Sequence, residues 1–404
     1  MIRKIVTPTV IVAALGYFVD VYDLILFGMV RVQSLEGLGL SGEAVTLQGI
    51  HLLNMQMYGM LLGGILWGVL GDKRGRKSVL FGSILLYSLA NIANGMVTDL
   101  TAYGLLRFVA GVGLAGELGA GITLVAEILP RQSRGYGTAL VASVGILGAL
   151  MAGYVANHFD WRVAYYIGGA MGLVLLALRM GVFESGMFAK ALQSKATRGN
   201  LMALLAPGRL GRYLACILIG MPIWFVIGLP VAFAPEFARA LGVAEAVNAA
   251  SALTWCYIGL ALGDLSSGLL SQWFKSRKRS VAVFMAITGT ATLVYLNNPG
   301  MGASTLYALC AVMGYGAGYW AMFVTMGAEQ FGTNLRATVA TTVPNFVRGA
   351  VPLMTTLFIS LKPGMGVPGA AMTVGGATFA LAAVALWKTE ETFHKDLDFL
   401  EVTP

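Results

Sequence analysis

Two carboxylates three residues apart, Asp20 and Asp23, stand in an apolar run near the start of the chain. On a helix that spacing puts both on one face, and Gly16, Asp20, Asp23 and Phe27 trace an i, i+4, i+7, i+11 stripe. Neighbouring carboxylates in a low-dielectric setting resist double ionisation, so the pair can hold one proton and release it. The chemistry this suits is proton carriage; the plainer alternative is a bond to an arginine or water that holds helices together. Far along the chain, Thr341, Asn345 and Arg348 form a second polar stripe, i, i+4, i+7, in an apolar run interrupted by Pro344 and Pro352. A guanidinium presents a fixed donor fork that suits a carboxylate. Arg348 therefore has two candidate roles, anchor of an anionic substrate or standing partner of Asp20, and the first is favoured. Glu117 is a third proton-coupling candidate, although a packing or latch role fits its glycine-rich surroundings equally well. Arg107, ten residues earlier, falls on a different face of the same helix, so the two do not simply pair. Tyr17, Asn54, Tyr319 and Trp320 join Arg348 and Asn345 as expected substrate-binding residues. Tyr58, Trp224, Trp255 and Tyr315 are further aromatic candidates, while His51 and Asp264 read as structural.

The elements that must carry these groups are set by composition. Of 404 residues, 57% are hydrophobic and 11% charged, with a mean hydropathy of +0.76. Soluble domains carry about 25% charged residues, so a water-soluble fold would lack polar surface. Runs of roughly 20 apolar residues, the length that spans a bilayer, lie near 8–30, 46–70, 78–97, 102–127, 137–156 and 163–182. Six more follow near 211–234, 248–272, 281–297, 302–327, 338–360 and 367–387. The expected fold is an all-α membrane protein of twelve helices, in two pseudo-symmetric six-helix bundles around a central cavity. The boundaries are 1–183 and 211–388 for the bundles, 184–210 for a linker and 389–404 for a tail. The net charge of +8 arises from short basic clusters between spans, which act as topology signals rather than as a nucleic-acid surface. Lys73, Arg74, Arg76, Lys77, Arg131, Arg134, Lys275, Arg277, Lys278 and Arg279 then belong to inner loops, with both termini cytoplasmic. Cys216, Cys256 and Cys310 fall inside apolar segments and read as buried small hydrophobes, not as a disulfide framework. No removable signal peptide is expected at the start.

Two segments echo across the chain. Residues 68–77 and 268–279 each follow the second helix of a half, and Ala126-Glu127 with Arg134 recurs as Ala328-Glu329 with Arg336. Parallel six-helix repeats of this kind place a substrate site near the bilayer midplane. At 1.5 Å per residue, Asp20 and Arg348 lie roughly 18 and 15 Å deep, one from each half.

The run Gly68, Gly71, Asp72, Gly75, Arg76 and Lys77 resembles the signature loop of the major facilitator superfamily. Residues 107–117, with Arg107, Gly111, Gly113, Gly116 and Glu117, are similar to its helix-four motif, and 127–135 to that helix's exit. Glu184-Ser185-Gly186 is similar to its Glu-Ser-Pro motif, with glycine in place of proline. Residues 391–397 resemble the tail of metabolite and sugar porters. The Asp20-Val-Tyr-Asp23 run is similar to the Asp-Gly-Phe-Asp motif of aromatic-acid proton symporters, with two substitutions. The proline-bearing glycine motif of drug antiporters is missing around Gly145, Gly148 and Gly153. The resemblance implies that Gly68, Asp72, Gly75, Arg76 and Arg134 latch one conformation.

The expected function is proton-coupled symport of a small organic anion across a bacterial inner membrane, by alternating access of a monomer. Uptake of a zwitterionic or neutral metabolite, efflux, and a non-transporting receptor are the alternatives. The partners are then substrate, protons and lipid, with no nucleic acid. Neither a phosphate-binding loop nor a metal-ligand cluster stands in the sequence, so no enzyme activity, cofactor or metal is expected.

Overall fold

The computed structural model describes the backbone of residues 8–74, 76–128, 134–184 and 201–393. Within these it describes side chains other than those of 8–9, 71–78, 80, 117–128, 134–140, 142–143, 181–184, 201–202, 333–334 and 337. The chain is all-helical, with twelve spanning helices. The first six are α1 (Pro8–Gly37), α2 (Glu43–Arg74), α3 (Arg76–Asn94), α4 (Leu100–Ile128), α5 (Arg134–His158) and α6 (Trp161–Glu184). The seventh, α7, starts as Leu210–Val226, loosens to a π-turn at Ile227–Val231 and resumes at Ala234–Ala240. Pro230 lies in that turn and has no N–H to donate, which accounts for the widened register.

Next come α8 (Ala249–Phe274), α9 (Arg277–Leu296) and α10, broken into Ala303–Ala317 and Trp320–Glu329. The helix α11 begins at Thr333–Gly349 and runs into the element Val351–Lys388, whose kink at Gly366 (φ 68°) starts α12. Among the described residues, eight helices are long and apolar enough to cross a membrane, and Thr338–Lys388 has 51 residues, enough for two passes.

Two compact units emerge, Met1–Leu40 with His51–Arg198, and Ser41–Ile50 with Gly199–Pro404. The start of α2 belongs to the second unit, where Lys362 donates to Glu43 at 2.7 Å. Each unit repeats one backbone-to-backbone crossing. A methyl group added at Gly59 of α2 would lie 2.1 Å from the Phe108 carbonyl oxygen, and one at Gly259 of α8 1.9 Å from that of Ala311. Glycine alone permits either approach. The same crossing thus recurs about two hundred residues later, in step with the sequence echo.

The short segment at 281–297 is a full 20-residue helix, Arg277–Leu296. It begins four residues earlier than hydropathy indicates because Ser276 caps it, accepting from the Arg279 N–H at 3.1 Å. Hydropathy registers charges as interruptions; capping admits them into a first turn.

Candidate functional site

In the first unit two of the buried charged residues, Asp23 on α1 and Arg107 on α4, are neighbours. The fit around α1 is close: a methyl at Gly148 would lie 2.1 Å from the Phe18 carbonyl oxygen, and one at Gly168 2.3 Å from an Asp23 oxygen. Glycine at 168 is what leaves room for that carboxylate. Asp23 is 1% exposed, and Arg107 and Asn91 are its charged and polar neighbours. Arg107, fully buried, donates to Asn91 Oδ1 at 2.8 Å and to Gln56 Oε1 at 3.4 Å. Its guanidinium carbon stands 5.0 Å from the Tyr165 ring centre and 5.8 Å from that of Phe27. Gln56 is itself oriented by donating to the Leu24 carbonyl at 3.2 Å, and the Tyr22 hydroxyl donates to the Ala164 carbonyl at 2.9 Å. Among the described residues neither Asp23 oxygen makes a hydrogen bond, so Arg107 acts on the carboxyl as a nearby charge rather than as a bonded ion-pair partner. Asp20 is buried one turn earlier on α1.

Arg107 falls outside the proton-coupling candidates that the sequence marks, because spacing along one helix relates it only to Glu117. The missed signal was depth. The expected spans 8–30 and 102–127 put Asp23 and Arg107 within a few residues of the same membrane surface.

In the second unit Arg348 on α11 is a buried cation within the spans, 3% exposed; Arg209, also buried, lies just before α7. The Arg348 guanidinium carbon lies 5.0 Å from the ring of Trp224 on α7 and 5.0 Å from that of Trp320 on α10. A cation over an indole face is stabilised by the ring quadrupole, by about 2 kcal/mol when desolvated. The break in α10 is what positions Trp320. There Gly318 crosses α8 so closely that a methyl would lie 2.4 Å from Gly263 backbone, and Asp264 accepts the Ala321 N–H at 3.1 Å. Asp264 is thus structural, as its sequence position suggests.

Asn345 is buried and its side-chain amide donates to the Thr341 carbonyl at 3.1 Å. The fully buried Tyr319 donates its hydroxyl to the Ile219 carbonyl at 3.0 Å, tying α10 to α7. Tyr17 packs beside Val10, Ala13, Ala14 and Val141, against Gly145 of α5. Asn54 is half-buried; His51, Tyr58 and Trp255 are exposed on their helices. Gly68 faces open space, whereas Gly75 and the side chains of Asp72, Arg76, Arg134 and Glu117 lie outside the described residues.

The echoed segments of the second unit do meet. Arg277, from the 268–279 segment, pairs with Glu329 at 3.0 Å, and the Thr392 hydroxyl donates to Glu329 at 2.7 Å. Glu391 accepts from the Ser276 hydroxyl and from the N–H groups of Arg277 (2.9 Å) and Lys278 (3.3 Å), closing the N-terminus of α9. Partial burial works to raise its pKa, but the Ser276 and backbone donors prevail and hold the carboxyl below the usual glutamate range.

Comparison with known proteins completes the picture. The family profile described as Major Facilitator Superfamily matches residues 13–356. The niacin transporter NiaP of Acinetobacter baylyi is 32% identical over 178 residues, 43% of this chain and 40% of that protein. The chain spans about half the length, or less, of the first curated relatives it matches. The gentisate transporter of Corynebacterium glutamicum is 24% identical over 393 residues, 93% of this chain and 86% of that one. The solved structure of the proton:xylose symporter XylE superposes with a TM-score of 0.65 at 18% identity, covering 98% of both chains.

Proposed function

We propose, from the premise that the chain belongs to the Major Facilitator Superfamily, that this secondary transporter carries a small organic anion together with a proton. The observation that carries the reading is Arg348, a buried guanidinium set between two indole rings. A transporter that moved only neutral solutes would gain nothing from keeping so costly a charge at membrane depth. The flanking rings also suit a flat ligand, and relatives named for niacin, benzoate and gentisate transport agree with an aromatic acid. Asp23 beside Arg107 is the proton site: protonating the carboxyl releases the arginine from its counter-charge, and deprotonation restores it. Substrate and proton are then linked, each raising the other's affinity by one factor. Alternating access converts that linkage into accumulation. The short basic clusters between spans support a cytoplasmic position for both termini.

Proteoliposomes given labelled nicotinate, benzoate or gentisate test the reading. At least one acid should accumulate under an inward proton gradient and stop accumulating when a protonophore collapses it. Accumulation of a neutral analogue in preference to every acid would overturn the assignment.

A further inference from the structure

We infer that the second unit carries a binding groove for an anionic phospholipid between α9 and α12, separate from the buried Arg348 site. The groove has a volume of about 670 Å³ and none of Arg348, Trp224 or Trp320 lines it. Its wall on α9 runs from Lys278 to Leu296, about 27 Å along the axis, close to the hydrocarbon thickness of a bilayer. Leu293, Phe379 and Leu386 line it, and Thr292 turns its hydroxyl into its own helix, donating to the Thr288 carbonyl at 2.7 Å. A polar metabolite would find few partners along such a wall, whereas an acyl chain needs none.

The two ends of the groove differ, and that difference selects the occupant. At one end Lys278 and Arg279 form the rim, with exposed Lys388 beside them. The Lys278 ammonium donates to the Trp387 carbonyl at 3.0 Å, which holds the cation at the mouth. Trp387 is 78% exposed, the placement of an indole at the headgroup level. Of the two acids at this end among the described residues, Glu391 is turned into the N-terminus of α9 by Ser276 and backbone N–H groups, so the rim's three cations face only Glu390 besides it. Apolar length below and clustered cations at the membrane surface match one amphiphile, an acyl chain bearing a phosphate. Each surface lysine or arginine favours an anionic lipid over a zwitterionic one.

Native mass spectrometry of the full-length protein, purified and titrated with phosphatidylglycerol or phosphatidylcholine, tests the assignment. The wild type should retain phosphatidylglycerol over phosphatidylcholine by roughly thirtyfold, as two surface cations imply. The Arg279→Glu/Lys388→Glu variant should lose that preference yet still bind both lipids at the phosphatidylcholine level. A methyl at Gly376 would meet no atom within 4 Å, so Gly376→Phe fills the groove without an initial clash and should lower retention of both lipids. Thermal unfolding of each variant, unchanged from wild type, confirms that folding is intact. Equal retention of the two lipids by the wild type, or a preference that survives charge reversal, overturns the proposal. So does displacement of lipid by a second copy of the chain, read as a dimer peak in the same spectra.

Discussion

Two of the buried arginines, Arg107 in the first unit and Arg348 in the second, have different neighbours. Arg107 has a carboxylate neighbour in Asp23 and donates to two side-chain amides. Arg348 has indole rings on either side at 5.0 Å each. An amide and a carboxylate compete with any incoming anion for guanidinium N–H groups; an indole face stabilises the charge without offering an oxygen acceptor. The first setting suits a charge whose partner is internal and can be protonated. In the second, the ring faces add stabilisation that does not occupy guanidinium N–H groups. The lesson is that the counter-group, rather than the arginine, distinguishes a coupling element from a ligand anchor.

The comparison breaks most readily at Arg348. Replacing it with alanine should weaken acid binding by about thirtyfold or more, the 2 kcal/mol or greater that losing one partner of a buried charge pair costs. Lysine should restore only part of this, because a point charge lacks the bidentate fork. Equilibrium binding to detergent-purified protein reads both, and wild-type affinity in the alanine variant would remove the anchor.

At Asp23 the expected loss is in coupling instead of binding. Asp23→Asn resembles the protonated side chain but releases no proton, so gradient-driven accumulation should vanish while substrate exchange stays within about threefold, under 1 kcal/mol. Exchange and uptake in the same proteoliposomes separate the two. Asp20→Asn provides the contrast, since Arg107 faces Asp23; if only Asp20→Asn uncouples, the roles of the two acids are reversed. Removing Arg107 alone should cost about 1–3 kcal/mol of stability, read by thermal unfolding, because the Asn91 and Gln56 side-chain oxygens lose their buried donor.

The smallest effect belongs to the Glu391 cap. Because its pKa is lowered on folding, its contribution is present at neutral pH and is lost as pH falls through that depressed value. Glu391→Gln should therefore lower the melting temperature slightly at pH 7 and erase the difference in acid. A melting-temperature difference that persists below the glutamate range would mean the carboxylate charge is not what caps α9.

Helix number, membrane class and family follow from patterns that read locally. Twenty apolar residues span a bilayer whatever their neighbours, and the glycine-rich run at 68–77 is contiguous. Arg348 was legible for the same reason, as a lone charge at membrane depth on a polar stripe. The juxtaposition of Asp23 and Arg107 is different: it depends on α1 and α4, far apart in sequence, meeting at one depth. So do the indoles beside Arg348, one brought by α7 and the other by the break in α10 at Gly318. The bond from the Tyr319 hydroxyl, beside that break, to the Ile219 carbonyl is equally invisible to spacing. Hydropathy and spacing register what each residue is and how deep it lies. Which side chains face one another is set by helix crossings, and those are governed by packing between segments far apart in the chain.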